Sequence, residues 1–214
     1  MSATFLFPDR KDFSPDLNEV ARYLGYRKVA GPDVDVSALM EKAAKEMQSV
    51  IKPQAVFEVF DLDCRVKPDN DTSVTFGLDP EVSFADVTLH SKDLGINLKD
   101  CSKVALVAAT IGPQVDALIR RYSSTDSVYA SILQATGAMY IEEVVDLLNA
   151  EIKKIAETQG LKTRPRYSPG YGDVPLDIQR DFFRLLPCTR IGLTLMDTLI
   201  MAPEKSVTAF IGLY

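Results

Sequence analysis

Lys103–Thr110 reads Lys-Val-Ala-Leu-Val-Ala-Ala-Thr, a run with almost no polar interruption. It is too short for a typical helix, and it lacks the alternation of a strand that faces water on one side. Such a segment belongs in the middle of a sheet, buried on both faces. The run passes through Ile111-Gly112-Pro113 into a helix that turns Val115, Leu118 and Ile119 inward. A strand ending in Thr-x-Gly before a helix resembles a phosphate-binding turn. One glycine is a weak motif, however, and Pro113 as a helix starter accounts for it equally well.

Around this strand the chain alternates unevenly between helices and strands. Thr4-Phe5-Leu6-Phe7 reads as a short opening strand. Ser14-Pro15-Asp16 reads as a helix start, with Ser14 as cap and Pro15 in the first turn, and Leu17, Val20, Ala21 and Leu24 follow at helical spacing. Gly25 suits the stop. A second amphipathic helix is expected over 36–51, ended by Lys52-Pro53. Strands are expected over 54–63, 72–76 and 82–89, with Asp69-Asn70-Asp71 as a solvated turn and His90 as a polar residue at a strand end. Ser124-Thr125-Asp126 opens the longest helix, to about Thr158 with Gly160 beyond it. Gly137 inside it costs about 1 kcal/mol relative to alanine and implies that another element packs closely there. A helix over 175–186 and a last strand over 206–213 complete the reading. This order of elements gives α+β rather than a doubly wound sheet. It is read as one domain over 1–214, with a helical N-terminal part (1–52) and a part built of sheet and helices (53–214).

Composition excludes several functions. The net charge of the 214-residue chain is −6, and no basic run exceeds Arg120-Arg121, so nucleic acid is not an expected partner. Cys64, Cys101 and Cys188 are far apart and odd in number, and His90 is the only histidine. Neither a disulfide framework, a metal centre nor a histidine-based triad is expected; each cysteine reads as a small buried residue. Met1 to Phe7 lacks the basic start and apolar length of a signal peptide, and no segment reaches the ~20 apolar residues of a membrane span. The expected location is the cytoplasm, away from membranes.

The stretch with the most chemistry is 164–175, Arg-Pro-Arg-Tyr-Ser-Pro-Gly-Tyr-Gly-Asp-Val-Pro. No helical or strand period survives in it. Proline fixes φ and glycine admits conformations barred to other residues, so this is a loop of defined shape. Arg166 offers a planar fork for a carboxylate or phosphate, Gly170 allows close approach, and Tyr171 supplies a flat face with a polar tip. The plain alternative is a connecting turn with a solvated arginine. The acids Glu142, Glu143 and Asp146, on the long helix, read as a solvent face or as ligands for a cation.

Arg166-x-x-x-Gly170-Tyr171, followed by Pro175, resembles the motif of the activation domain of cobalamin-dependent methionine synthase. The tail Met201-Ala202-Pro203-x-x-Ser206-Val207-Thr208, preceded by Ile191-Gly192-Leu193-Thr194, resembles that domain's closing segment. Arg22-Tyr23-Leu24-Gly25-Tyr26 and Thr110-Ile111-Gly112 are similar to the stand-alone bacterial form, so the likeness spans most of the chain. It implies a C-shaped α+β fold around a twisted antiparallel sheet. It also implies S-adenosylmethionine binding and docking on a cobalamin-carrying domain. There, an electron from a flavodoxin- or ferredoxin-type donor reduces cob(II)alamin and methyl transfer restores methylcobalamin.

On these residues the resemblance implies that Arg166 holds the ligand carboxylate and that Ser168 and Gly170 lie against the adenosine. Tyr171 takes the catalytic position between ligand and corrin face. Glu142, with Glu143 as the near alternative, pairs with the α-amino group, and Ser206 joins the cofactor-binding set. The family's aromatic pair after Ser-Val is here Phe210-Ile211, and its Pro-Asp-His is replaced by Pro175-Leu176-Asp177. With no cobalamin, folate or homocysteine module in the sequence, the expected role is an accessory one. It would reactivate a separate corrinoid methyltransferase, such as a methionine synthase lacking this domain. The alternative is a non-catalytic module that docks on a corrinoid protein without using S-adenosylmethionine.

Overall fold

The computed structural model describes residues 2–26, 31–65 and 80–214. The turn expected at Asp69-Asn70-Asp71 and the strand expected over 72–76 lie outside the described residues.

Lys103–Thr110 forms β5, and it is central as its composition requires. It pairs antiparallel with β2 (Gln54–Arg65) on one side and with β8 (Ser206–Leu213) on the other. The sheet runs β4-β3-β2-β5-β8, and β1 (Thr4–Leu6) shares the outer edge of β2 with β3. Side chains of a strand alternate between faces, and both faces of β5 are dry. Ala105, Val107 and Ala109 join Phe57, Val59, Ala209 and Ile211 in one core, against the helices. Val104, Leu106 and Ala108 join Val56, Phe84, Phe182 and Phe210 in a second core on the opposite face.

The first face is covered by α1 (Leu17–Tyr23), α2 (Val34–Val50), α4 (Pro113–Ser123) and the long α5 (Ser127–Thr158). The second is covered by α3 (Lys92–Asn97), α6 (Gln179–Leu185) and the 3-10 turns at Leu176–Ile178 and Cys188–Ile191. A two-residue ribbon of β6 (Thr194–Leu195) and β7 (Met201–Ala202) precedes β8. The fold is α+β, a curled antiparallel sheet flanked by helices.

Several local expectations change. The cap of α1 is Asp16, whose carboxylate accepts from the Asn18 and Glu19 amides, so Ser14 and Pro15 lie outside the helix. The strand expected over 82–89 is a hairpin of β3 (Glu81–Phe84) and β4 (Val87–His90), turned at Ala85, whose φ is 50°. The expected helix over 175–186 divides into the 3-10 turn and α6. His90 ends the edge strand β4 and is exposed. Cys101 and Cys188 are both buried. The neighbour that Gly137 admits is Lys205, whose Cε would lie 3.3 Å from a Cβ at that position. Among the described residues no helix is long and apolar enough to cross a membrane.

Candidate ligand site on the loop 164–175

The loop is held on two sides. Its leading residues run along the free edge of β8: Lys162 N donates to Tyr214 O (2.8 Å), Arg164 N to Gly212 O (2.9 Å) and Tyr167 N to Phe210 O (3.0 Å). Its far end is tied to α3 through Asp173, whose carboxylate accepts from Ser91 Oγ and from the Lys92 amide (2.6 Å). These bonds hold the Asp173 carboxyl below its ordinary range, with the Ser91 hydroxyl the largest contributor. Between the anchors the chain closes on itself, with Gly170 N donating to Val174 O (3.0 Å) and Val174 N to Tyr171 O (3.1 Å). Gly172 has φ of 54°, and a Cβ there would stand 2.1 Å from Asp93 Oδ2 and 2.4 Å from Tyr167 Oη. A side chain there would have to push Asp93 and Tyr167 aside, in a backbone conformation that favours glycine.

Arg166 points at α5. Its Nη1 donates to Asp146 Oδ1 at 2.5 Å and its Nη2 to Glu142 Oε2 at 3.0 Å. The two acids are four residues apart and therefore on one face of the helix. The cation suggested by the acidic run is thus the guanidinium of the loop itself. Arg164 serves structure: its Nη2 donates to Lys99 O (2.8 Å) and its guanidinium lies 4.2 Å from the centre of the Tyr214 ring.

Tyr171 is 69% exposed, and Leu176, which lies close to Gly170, is also exposed. Gly170, with φ of 85°, is exposed, and Ser168 is half-buried. Ser206 stands apart: it pairs with Thr110 at the start of β8, four residues before Phe210, and its hydroxyl donates to Pro203 O (2.7 Å). At ~3.3 Å per residue this is on the order of 13 Å from the point where the loop meets β8. Phe210, at the family's aromatic position, is wholly buried and packs edge-on against Phe84 and Phe182. Ile211 faces the other core.

Glu143 is the most perturbed acid near the loop. Asp16, Glu19, Arg22 and Tyr23 of the α1 segment face Met139, Glu142, Glu143 and Asp146 of α5 across a cleft of about 280 Å³. Burial, with Asp16 and Asp146 nearby, pushes the Glu143 carboxyl up to about 7, and its Oε2 is buried with no hydrogen-bond partner among the described residues. Arg22 does not relieve it, being paired with Glu19 at 2.6 Å. Sequence pattern read Glu143 with Glu142 and Asp146 as a solvent face or cation ligands, and the resemblance gave it as the alternative to Glu142; its Oε2 is instead buried, because of how α1 lies across α5.

No protein-family model matches the chain, and no curated protein matches it in sequence. Its fold does have a solved counterpart. The MetH reactivation domain bound to AdoHcy superposes with a TM-score of 0.65 at 15% identity, covering 99% of this chain and 78% of that one. The chain therefore has the fold of the MetH reactivation domain, whose loop and tail motifs its sequence resembles.

Proposed function

We propose that this protein binds S-adenosylmethionine on the loop 164–175 and supports reductive remethylation of cob(II)alamin on a separate corrinoid methyltransferase. The observation that carries the reading is Arg166: a guanidinium on a doubly anchored loop, bracketed by acids of α5, in a fold whose solved counterpart is bound to AdoHcy. The set fits the two ends of an amino-acid moiety, since the fork of Arg166 suits a carboxylate and Glu142 suits an ammonium. S-adenosylmethionine, when bound, supplies the methyl group, and the corrinoid partner supplies the cobalt chemistry.

The work left to this chain is placement. Arg166 and Glu142 fix the amino-acid end, and Gly170 lets backbone lie close to the adenosine beside Ser168. The exposed ring of Tyr171 covers the reacting side, between ligand and corrin. Methyl transfer is in-line, so orientation supplies most of the acceleration. The electron comes from a flavodoxin- or ferredoxin-type donor. Ser206 lies apart from the loop, its hydroxyl tied to Pro203.

The second reading, docking on a corrinoid protein without the ligand, is favoured by one observation: both Nη groups of Arg166 already have carboxylate partners. A reconstitution separates the two. The protein is mixed with a methionine synthase that lacks a reactivation domain, held as cob(II)alamin, with reductant and S-adenosylmethionine. The first reading predicts that the methylcobalamin spectrum appears only when both this protein and S-adenosylmethionine are present. Complex formation without any dependence on S-adenosylmethionine would replace it with the second.

A further inference from the structure

The pairing of Arg166 carries a consequence that rests on the ligand reading above. Both Nη groups of its fork are engaged, Nη1 by Asp146 and Nη2 by Glu142. The backbone beneath it is pinned to β8 through Arg164 and Tyr167, so the guanidinium cannot travel far to meet a ligand. A ligand carboxylate that takes the Nη1–Nη2 fork with both oxygens displaces an acid of this chain from it. The two acids are unequal. The Glu142 side chain is 46% exposed and that of Asp146 is 70% exposed. An exposed carboxylate recovers its water when its partner leaves, and such pairs contribute little. Asp146 is the one that gives way.

We propose that Asp146 is an internal stand-in for the ligand carboxylate: the ligand binds by displacing it from Arg166 Nη1 while Glu142 keeps its bond. Asp146 then sets the affinity of the site and its choice of ligand class. Once displaced, its charge remains near Glu142 and Glu143, across the cleft from Asp16 and Glu19. Arg22 offers no relief, because Glu19 already holds it. A ligand that brings only a carboxylate meets this field unfavourably, whereas one that brings an ammonium on the same carbon answers it. The site is matched to an α-amino-acid moiety rather than to a simple acid or a nucleoside.

The test is calorimetric titration of wild type, Asp146→Asn and Arg166→Ala with two probes. One is S-adenosylhomocysteine; the other is 5′-methylthioadenosine, which keeps the nucleoside thioether and lacks the amino-acid end. Asp146→Asn is expected to bind S-adenosylhomocysteine about two- to fivefold more tightly, the range set by a weak exposed ion pair. Its affinity for 5′-methylthioadenosine should equal that of wild type, and Arg166→Ala should lose affinity for S-adenosylhomocysteine alone. Equal or weaker binding of S-adenosylhomocysteine by Asp146→Asn, with Arg166→Ala still impaired, overturns the proposal and leaves the ligand reading standing. Absence of S-adenosylhomocysteine binding in all three proteins, each folded by its melting curve, overturns the ligand reading and the proposal with it.

Discussion

Glu143→Gln tests a carboxyl whose charged form the fold disfavours. The folded protein raises this carboxyl from 4.5 to about 7, through burial first and through Asp16 and Asp146 second. The folded state therefore holds the proton more tightly than the unfolded chain. Stability is unaffected below the unfolded value, falls as pH rises from about 4.5 to about 7, and is flat above. The full shift corresponds to about 3.4 kcal/mol. The carboxyl is only partly buried and water screens much of this, so about 1–1.5 kcal/mol is expected between pH 5 and pH 8. Glutamine imitates the protonated acid in shape and lacks its charge. In urea titrations at both pH values, Glu143→Gln should match wild type closely at pH 5 and exceed it by about 1–1.5 kcal/mol at pH 8. An equal difference at the two pH values would refute the reasoning, since it would mean that the charge does not change state between them.

Other substitutions probe the anchors and the core. Gly172→Ala forces a Cβ against Asp93 and Tyr167 at positive φ and should cost about 1–3 kcal/mol by thermal or urea unfolding. Asp173→Ala removes the bonds that hold the start of α3 and should cost about 0.5–2 kcal/mol, the range for a lost cap. Phe210→Ala empties the space between Phe84 and Phe182 and should cost about 3–5 kcal/mol. Tyr171→Ala, at an exposed position, should change stability by less than about 0.5 kcal/mol while slowing remethylation in the reconstituted system.

The parts of the fold that could be read from sequence are those where one segment settles the matter. The unbroken apolar run of β5 required cover on both faces, and the spacing of α4 set its buried side. The hairpin of β3 and β4 escaped because its turn is made at Ala85, at positive φ without a glycine to mark it. The helix α3 escaped because it is one short turn and a half, and its N-terminus is completed by Asp173 from a distant part of the chain. Ser14 and Asp16 are both good caps two positions apart, and nothing local chooses between them. At the candidate site, pattern singled out Arg166, Gly170, Tyr171 and the acids Glu142, Glu143 and Asp146, and the resemblance preferred Glu142 among the acids. The engagement of Arg166 by Asp146, the burial of Glu143 and the separation of Ser206 from the loop all depend on tertiary placement: the seam of the loop along β8 and the path of α1 across α5.

The most direct test of the account is the affinity of the purified protein for S-adenosylmethionine, measured by calorimetry beside that of Arg166→Ala. The account predicts saturable binding at one site by wild type and a loss of that binding in Arg166→Ala, with its melting curve unchanged. Equal binding by the two proteins would contradict the assignment of the ligand carboxylate to Arg166, and no binding by either would contradict the central claim itself.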